Sequence, residues 1–304
     1  MTNTVSHTAF RGFGGPQGMM IIERAMDDIA RVVGKDPLDI RKLNLYGPDG
    51  RDTTPYHQTV EHNVLLELIE QLEQSSDYRK RRDEITQWNT NSRVLKRGLA
   101  LTPVKFGISF TLQHLNQAGA LIHIYTDGSI QVNHGGTEMG QGLHTKIIQI
   151  VAEALAIDPN EIQITATRTD KVPNTSPTAA SSGTDLNGQA AKNAALTLKQ
   201  RMAECIAEQK GCALETVSFA NGRIHWGDQS ESMSFAEAAL FAYVNRVSLS
   251  ATGYYKTPKI WYDREQAKGR PFFYFAYGAA VTEVVIDTLT GENRILRADI
   301  LHDA

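Results

Sequence analysis

The chain has 304 residues, of which 41% are hydrophobic, and at roughly 150 residues per domain this length predicts about two domains with a sizeable core. Its 31 Lys and Arg residues nearly balance 34 Asp and Glu residues, which argues against a nucleic-acid-binding protein because such proteins usually carry a basic excess. The two cysteines cannot form a disulfide framework and no long apolar run is present, so we expect a cytoplasmic protein without a membrane-spanning segment.

The first part of the chain has helical periodicity. Apolar residues recur at helical spacing from Gln17 to about Val33, and a short helix is expected from Pro37 to Leu45. The turn-rich segment 46–58 is the predicted domain boundary, and an amphipathic helix follows it from Val60 to Leu72. A charged segment from Tyr78 continues this helix. It could bind nucleic acid, but acidic residues follow at once, which favours a solvated helix face.

After about Arg97 the apolar pattern changes to alternation, which is typical of strands. A hairpin is predicted at Asp127-Gly128, between Leu121–Thr126 and Ile130–His134. The remaining predicted elements are a helix through Ile147 to Leu155, a strand near 162–167, an alanine-rich helix near 190–207, a hairpin at Asn221-Gly222, and strands near 247–255, 276–286 and 294–301. Helices and hairpins are mixed without regular alternation, which predicts an α+β fold rather than a doubly wound parallel sheet.

Three clusters could carry chemistry. Gly135–Gly142 follows a strand and opens a helix, which fits either a phosphate-bearing ligand or a structural turn. Phe10–Gln17 combines an arginine with aromatic rings, which suits an anionic group and a stacked ring; a surface turn with its aromatics tucked inward explains it as well. Segment 173–185 is rich in small and hydroxyl residues, and it fits both a pocket lining and a plain loop that caps a helix.

A metal site built from side chains is not expected. His123, His134 and His144 lack the spacing of a zinc motif, and the two cysteines are not arranged as a Cys-x-x-Cys pair. The sequence also contains no Gly-x-Ser-x-Gly nucleophile motif. Each histidine is therefore interpreted as a structural or surface residue.

Longer strings carry a more specific signal. They are Thr8–Gly18, Lys105–Thr111 with Leu115–Gly119, Gly135–Lys146, Val172–Ser181 and Pro271–Gly291. In these strings and their order the sequence resembles the molybdenum-cofactor-binding subunit of the xanthine dehydrogenases, within the molybdenum hydroxylase family. The resemblance implies parts of two molybdenum-cofactor-binding domains. Residues 1–45 would end the first, 46–58 would be a linker, and 59–304 would form the N-terminal and central part of the second.

The resemblance also implies site residues. The positions implied to surround the molybdenum cofactor are Arg11, Met139, Gln141, Lys146, Ala180 and Ser181. Among them, Arg11 and Ala180 would approach the molybdenum through their backbone and not as side-chain ligands. Phe13 matches an aromatic that stacks on a purine, Phe110 matches one that meets it edge-on, and Thr111 matches a further substrate contact.

The implied reaction is the hydroxylation of hypoxanthine and xanthine to urate. Electrons would pass through 2Fe-2S clusters and FAD to NAD, while Mo-molybdopterin carries the difficult chemistry. Two cysteines cannot ligate a 2Fe-2S cluster, which needs four thiolates, so the clusters and FAD are expected on a partner chain of a hetero-oligomer. Neither nucleic acid nor a membrane is expected as a partner.

The sequence departs from the family in its acid–base groups. The family's general-base Glu lies in a Gly-Glu-Pro-Pro string, and no Glu is followed by Pro in this sequence. The family's upstream glycine-rich loop with a substrate-binding Glu, and a substrate-binding Arg, are also absent. We therefore expect the chain alone to be an inactive fragment. Two alternatives stay open: a hydroxylase of the same family for aldehydes or other N-heterocycles, and a truncated, non-catalytic remnant.

Overall fold

A computed structural model describes residues 3–4, 9–48, 50–171 and 175–303, and it confirms the α+β class. The helices in these ranges are α1 (Gly15–Val33), α2 (Pro37–Leu43), α3 (Leu65–Ser75), α4 (Tyr78–Asn91), α5 (Leu143–Leu155), α6 (Gly183–Lys210) and α7 (Phe235–Val244). The predicted helices are confirmed as α1, α2, α3, α5 and α6. Helix α7 was not predicted, although Ser234 and Glu237 form a capping box at its start.

The strands build four sheets in the described residues. They are β1 (Leu95–Ile108), β2 (Gln117–Ile124), β3 (Ile130–His134), β4 (Ile162–Ile164), β5 (Ser218–Ala220), β6 (Arg223–Trp226), β7 (Glu231–Ser234), β8 (Ser250–Lys256), β9 (Trp261–Asp263), β10 (Lys268–Arg270), β11 (Tyr274–Asp287) and β12 (Asn293–His302). The sheet orders are β1-β11-β12, β10-β9, β4-β3-β2-β8 and β5-β6-β7. Both predicted hairpins, β2–β3 and β5–β6, are confirmed as antiparallel pairs.

The chain divides into two compact units. Unit 1 combines the residues up to Ile108 with those from Trp261 onward, and unit 2 spans Ser109–Ile260. These unit boundaries differ from those of the predicted domains 1–45 and 59–304 with a linker at 46–58. The assignment of those segments to two cofactor-binding domains stays a prediction.

Unit 1 corrects the expectation that the charged segment continues the preceding helix. Asp77 adopts a left-handed conformation with φ 55°, so α3 and α4 are separate helices. The segment is also not wholly solvated, because the Arg81 side chain is buried and bonds Glu283 at 2.8 Å and Asp299 at 3.0 Å. Burial raises the pKa of Glu283, but hydrogen bonds from Arg81 and Arg97 outweigh it and hold this pKa below its usual value.

Helix α1 is present as predicted, but its apolar stripe is not covered. Only Ala30 of this helix is buried, whereas Ile22, Ile29 and Val33 are about half exposed or more. Helical periodicity predicts which face is apolar, but it carries no information about what covers that face.

The core of unit 2 depends on a close approach between α6 and the sheet strand β8. Small residues of α6, among them Ala190 and Ala194, are fully buried in this core. Gly253 of β8 lies directly beneath them, since a Cβ atom added there would lie 2.6 Å from the Ala194 nitrogen and closer still to the Ala190 carbonyl oxygen. Only glycine allows the helix to sit this close to the strand.

We expect Gly253→Ala to lower the free energy of unfolding by about 1–3 kcal/mol, because the added methyl group must push helix backbone away from the sheet. Chemical denaturation measures this change. Gly18→Ala is the control, since Gly18 lies inside α1 with open space around it and alanine favours helix. Equal stability of Gly253→Ala and the unsubstituted protein would contradict the close-packing argument.

Candidate functional site

The predicted glycine loop, Gly135–Gly142, joins β3 to α5 in unit 2. Gly140 and Gly142 have positive φ values of 87° and 74°, a conformation that other residues rarely adopt. Gly135 and Gly136 have no room for a side chain, because an added Cβ atom would lie 2.5 Å from the Thr175 Oγ1 atom or 2.6 Å from Leu143. The glycines are therefore required by backbone conformation and by close packing.

Glu138 holds this loop onto the start of α5. Its carboxylate accepts hydrogen bonds from the backbone N–H groups of Gly140 at 2.8 Å, Gly142 at 3.0 Å and His144 at 3.2 Å. Partial desolvation opposes the charge, but these bonds outweigh it and keep the Glu138 pKa below its usual value. The amide groups that could attract an external anion are thus partly occupied by the chain's own carboxylate, a role that sequence analysis missed.

Two histidines pack beneath the loop. His134 is 3% exposed, and its Nδ1 atom accepts a hydrogen bond from the Gly136 N–H group at 3.0 Å. The His144 ring meets the His134 ring edge-on, with 5.2 Å between their centroids. Burial, with a smaller contribution from repulsion by His144, lowers the pKa of His134 to about 4. His134 is therefore neutral, with its proton on Nε2, and it fixes the conformation of the loop.

The structure brings the predicted cofactor residues of unit 2 onto two connected segments. Gln141 folds back onto the loop, where its Nε2 group donates to the Thr137 carbonyl at 2.8 Å and its Oε1 atom accepts from the Met139 N–H group. The Thr137 N–H group donates to Thr178 Oγ1 at 2.8 Å, which connects the loop to the segment before α6. Lys146 is exposed in the first turns of α5.

The second segment carries Ala180 and Ser181 in a strained conformation. Both have φ 56°, in the left-handed region that is unfavourable for residues with a Cβ atom. Ser182 at the N-cap position makes no side-chain cap bond, because its hydroxyl donates to the Ala179 carbonyl, so the predicted hydroxyl capping of α6 is wrong at this residue. Pro173 and Asn174 of this predicted loop, and Val172, lie outside the described residues.

Phe110 and Thr111, the predicted substrate contacts of unit 2, lie at its N-terminal end. Phe110 is partly buried and Thr111 is exposed. The backbone of Phe110 is held on both sides by the amide of Asn116, which sequence analysis did not single out. An Asn six residues after an aromatic is too common a spacing to have indicated this contact.

The predicted cluster at Phe10–Gln17 forms a tight turn at the start of α1 in unit 1. The Phe13 N–H group donates to the Phe10 carbonyl at 2.6 Å, and Phe13 itself has φ 48°. Both rings are exposed, Phe10 to 81% and Phe13 to 78%, so they are not tucked inward as the surface-turn alternative expected. Arg11 is also exposed, and Thr8 lies outside the described residues.

Within the described ranges, no three His, Cys, Asp or Glu side chains come together in a way that could hold a metal ion. The helices of the same ranges also include none that is both long enough and apolar enough to cross a membrane.

Comparisons with known proteins match both the sequence and the fold of the chain. A sequence profile of the molybdopterin cofactor-binding domain matches residues 71–304, and a second profile with the same description matches residues 1–45. The chain is 47% identical over 302 residues to a protein named xanthine dehydrogenase/oxidase from Gallus gallus, and 44% identical over 305 residues to one named xanthine dehydrogenase from Dictyostelium discoideum. Each alignment covers 99% of this chain but only 20% and 21% of the relative, respectively.

Solved structures show the same fold at lower identity. The quinoline 2-oxidoreductase of Pseudomonas putida 86 matches with a TM-score of 0.80 and 22% identity, covering 96% of this chain and 38% of that one. The aldehyde oxidoreductase of Desulfovibrio gigas matches with a TM-score of 0.77 and 24% identity, covering 99% and 30%. These matches establish the architecture.

The buried His134 predicts a pH dependence of stability. Its pKa is about 4 in the folded chain and about 6.5 when unfolded, so the unfolded state binds more protons between these values and stability falls as the pH drops through this range. Between pH 7 and pH 5 the loss from this group is about 2 kcal/mol, measured by urea unfolding. His134→Asn keeps an acceptor for Gly136 and should lose less stability over this range. An equal loss in the variant would refute the assignment.

Proposed function

The chain belongs to the molybdopterin cofactor-binding domain family, and we propose that it forms the cofactor-holding and purine-contacting part of an enzyme that oxidises hypoxanthine and xanthine to urate. The observation that carries this proposal is the 44–47% identity to proteins named xanthine dehydrogenase or xanthine dehydrogenase/oxidase, which extends over 99% of the chain. Family membership supports Mo-molybdopterin as the cofactor, and the identity supports the purine as substrate.

The glycine loop fits such a cofactor. Four buried side-chain atoms next to Gly135 and Gly136 have no hydrogen-bond partner among the described residues: His134 Nε2, His144 Nε2, Thr175 Oγ1 and Asn187 Oδ1. A buried polar atom without a partner costs free energy, so the cluster favours a polar ligand at the loop. A pterin with a phosphate group has both the polarity and the hydrogen-bonding capacity required.

We assign the following roles. In unit 2, the residues that would hold the cofactor are Met139, Gln141, Lys146, Ala180 and Ser181, with the Lys146 ammonium directed to its phosphate. In unit 1, Arg11 would contribute its backbone near the metal. Ala180 would do the same in unit 2, and neither residue would be a side-chain ligand. When bound, the cofactor supplies the two-electron oxidation and oxygen transfer at its metal.

The remaining residues would bind and orient the purine. The Phe13 ring would stack on its face, the Phe110 ring would meet its edge, and the Thr111 hydroxyl would donate or accept a hydrogen bond. Aromatic pairs of this kind contribute about 0.5–1.5 kcal/mol beyond area burial, and they select a flat heteroaromatic ring over an aliphatic substrate. The general base is not among these residues, so proton removal is assigned to no side chain of this chain.

Electron transfer requires further groups. With two cysteines the chain cannot ligate a 2Fe-2S cluster, so we propose that the clusters and FAD reside on a partner, with NAD as the final acceptor and a hetero-oligomer in the cytoplasm as the working form. The relatives are about five times longer than this chain, which supports the need for such additional modules.

Lys146→Met tests the cofactor assignment. We expect a loss of cofactor affinity of about 10–150-fold, because a charge-assisted bond to phosphate contributes about 1.5–3 kcal/mol. The measurement is the molybdenum and pterin content of chain produced in a host that makes the cofactor. The matched control is Lys192→Met, which removes an exposed lysine from α6. Equal pterin content in both variants would remove Lys146 from the cofactor site.

Phe110→Ala tests the substrate assignment. The cofactor-loaded chain should bind xanthine, and the variant should bind it about 2–10-fold more weakly while its pterin content stays unchanged. Binding is followed by calorimetry, because binding does not require a general base. Binding of benzaldehyde in place of xanthine would favour the aldehyde alternative, whereas a chain that takes up neither cofactor nor xanthine would be the non-catalytic remnant.

A further inference from the structure

The segment that carries Phe110 is wrapped around a single buried side chain. Asn116 is 2% exposed, and its Oδ1 atom accepts a hydrogen bond from the Phe110 N–H group at 2.7 Å. Its Nδ2 group lies 3.0 Å from the Phe110 carbonyl oxygen, 3.2 Å from that of Leu112 and 3.4 Å from that of Gln113. The amide side chain of Asn116 therefore closes this segment, which includes a short 3-10 helix at Gln113–Leu115, through hydrogen bonds to its backbone.

The same residue is anchored to the sheet of unit 2. Its carbonyl oxygen accepts a hydrogen bond from the Thr257 N–H group at 3.0 Å, just beyond β8, and β2 begins at the next residue, Gln117. The Gln117 carbonyl accepts in turn from the Ser176 hydroxyl at 3.0 Å. Ser176 lies on the segment that leads to Ala180 and Ser181. The Phe110 segment and the predicted cofactor segment are thus attached to adjacent residues at one end of β2.

Backbone strain beside Phe110 is a second, independent observation. Ser109 is buried and has φ 145°, a value at which residues with a Cβ atom are rare. Such a conformation persists only where the surrounding contacts determine it, and strained residues concentrate at ligand sites. The hydrogen bonds between Asn116 and Phe110, the residue after Ser109, supply that constraint.

We propose that Asn116 is a positioning residue that fixes the ring of Phe110 and the hydroxyl of Thr111 for a purine substrate. The inference rests on the proposed function, which places Phe110 against the purine. It adds a residue that does not touch the substrate and that sets the angle at which the aromatic edge meets it. Without Asn116 the segment has a choice of backbone conformations, and binding must order it first, which weakens affinity.

The chain offers a matched control. In unit 1, the side-chain amide of Asn89 also bonds both backbone groups of one residue. Its Nδ2 group donates to the Arg97 carbonyl at 2.8 Å and its Oδ1 atom accepts from the Arg97 N–H group at 2.8 Å. Neither Asn89 nor Arg97 is assigned to a ligand. Asn89→Ala therefore removes an equivalent pair of hydrogen bonds without a direct effect on purine binding.

The experiment compares Asn116→Ala, Asn116→Asp and Asn89→Ala in the cofactor-loaded chain, with calorimetric titration of xanthine and amide hydrogen exchange. We expect Asn116→Ala to speed exchange over residues 110–116 and to weaken xanthine binding about tenfold, with unchanged pterin content. Asn116→Asp keeps the acceptor for the Phe110 N–H group and loses the donors, so its affinity for xanthine should lie between those of Asn116→Ala and the unsubstituted chain. Asn89→Ala should bind xanthine normally.

The outcomes separate this inference from the proposed function. Wild-type affinity in both Asn116 variants, or unchanged exchange over residues 110–116, overturns the positioning role and leaves the purine assignment standing. Failure of the unsubstituted loaded chain to bind xanthine overturns the purine assignment and the positioning role with it. If Asn116→Ala loses its pterin, the Asn116→Asp titration decides the question.

Discussion

Close packing of α6 on the sheet of unit 2 is the constraint on which the predicted site there depends. Small residues on the helix and Gly253 on β8 let the two backbones approach almost to contact. A helix held this close to the strands brings its N-terminal turns beside the end of β3, where Asn187 lies within contact distance of Gly136. The glycine loop starts at the end of β3, and the segment with Ala180 and Ser181 ends at the start of α6. A residue larger than Gly253 between α6 and β8 would move these two segments apart.

The glycine loop is organised before any ligand arrives. Glu138 accepts from three backbone N–H groups, His134 accepts from a fourth, and Gln141 bonds two further backbone groups. A loop fixed in this way loses little conformational entropy on binding, which increases affinity. This organisation costs folding free energy at other positions. Ala180 and Ser181 are held in a left-handed conformation, and the buried imidazole of His134 must remain neutral.

Sequence patterns predicted most of the elements whose signals are local, although helix α7 was missed despite its capping box. Asp127-Gly128 and Asn221-Gly222 are strong hairpin turns, and helix α6 is rich in alanine, so these elements were recovered. Local signals failed where the decisive feature is conformational or distant. The break at Asp77 requires a left-handed residue that no motif marks, and the uncovered face of α1 depends on contacts that periodicity cannot report.

The predicted site is likewise divided between residues that sequence motifs indicate and residues whose roles depend on distant contacts. Motif resemblance indicated the segments around Phe13, Phe110, Met139 and Ala180, and the structure connects those of unit 2 through Thr137 and Thr178. The residues that support them were not indicated, because their roles arise from contacts between positions that are ordinary in sequence. His134 was interpreted as a structural or surface residue, and it is structural, although the sequence did not indicate that its Nδ1 atom accepts a hydrogen bond from the Gly136 N–H group.

The distribution of satisfied and unsatisfied groups in unit 2 narrows the kind of ligand that fits. The N–H groups of Gly136, Thr137, Met139, Gly140 and Gly142 already have partners within the chain. Among the described residues of unit 2, the buried side-chain atoms without partners are imidazole, hydroxyl and amide atoms beneath the loop, which include both donors and acceptors. A simple anion would satisfy only the donors. A heterocycle that both donates and accepts hydrogen bonds, as a pterin does, matches the set better than phosphate alone.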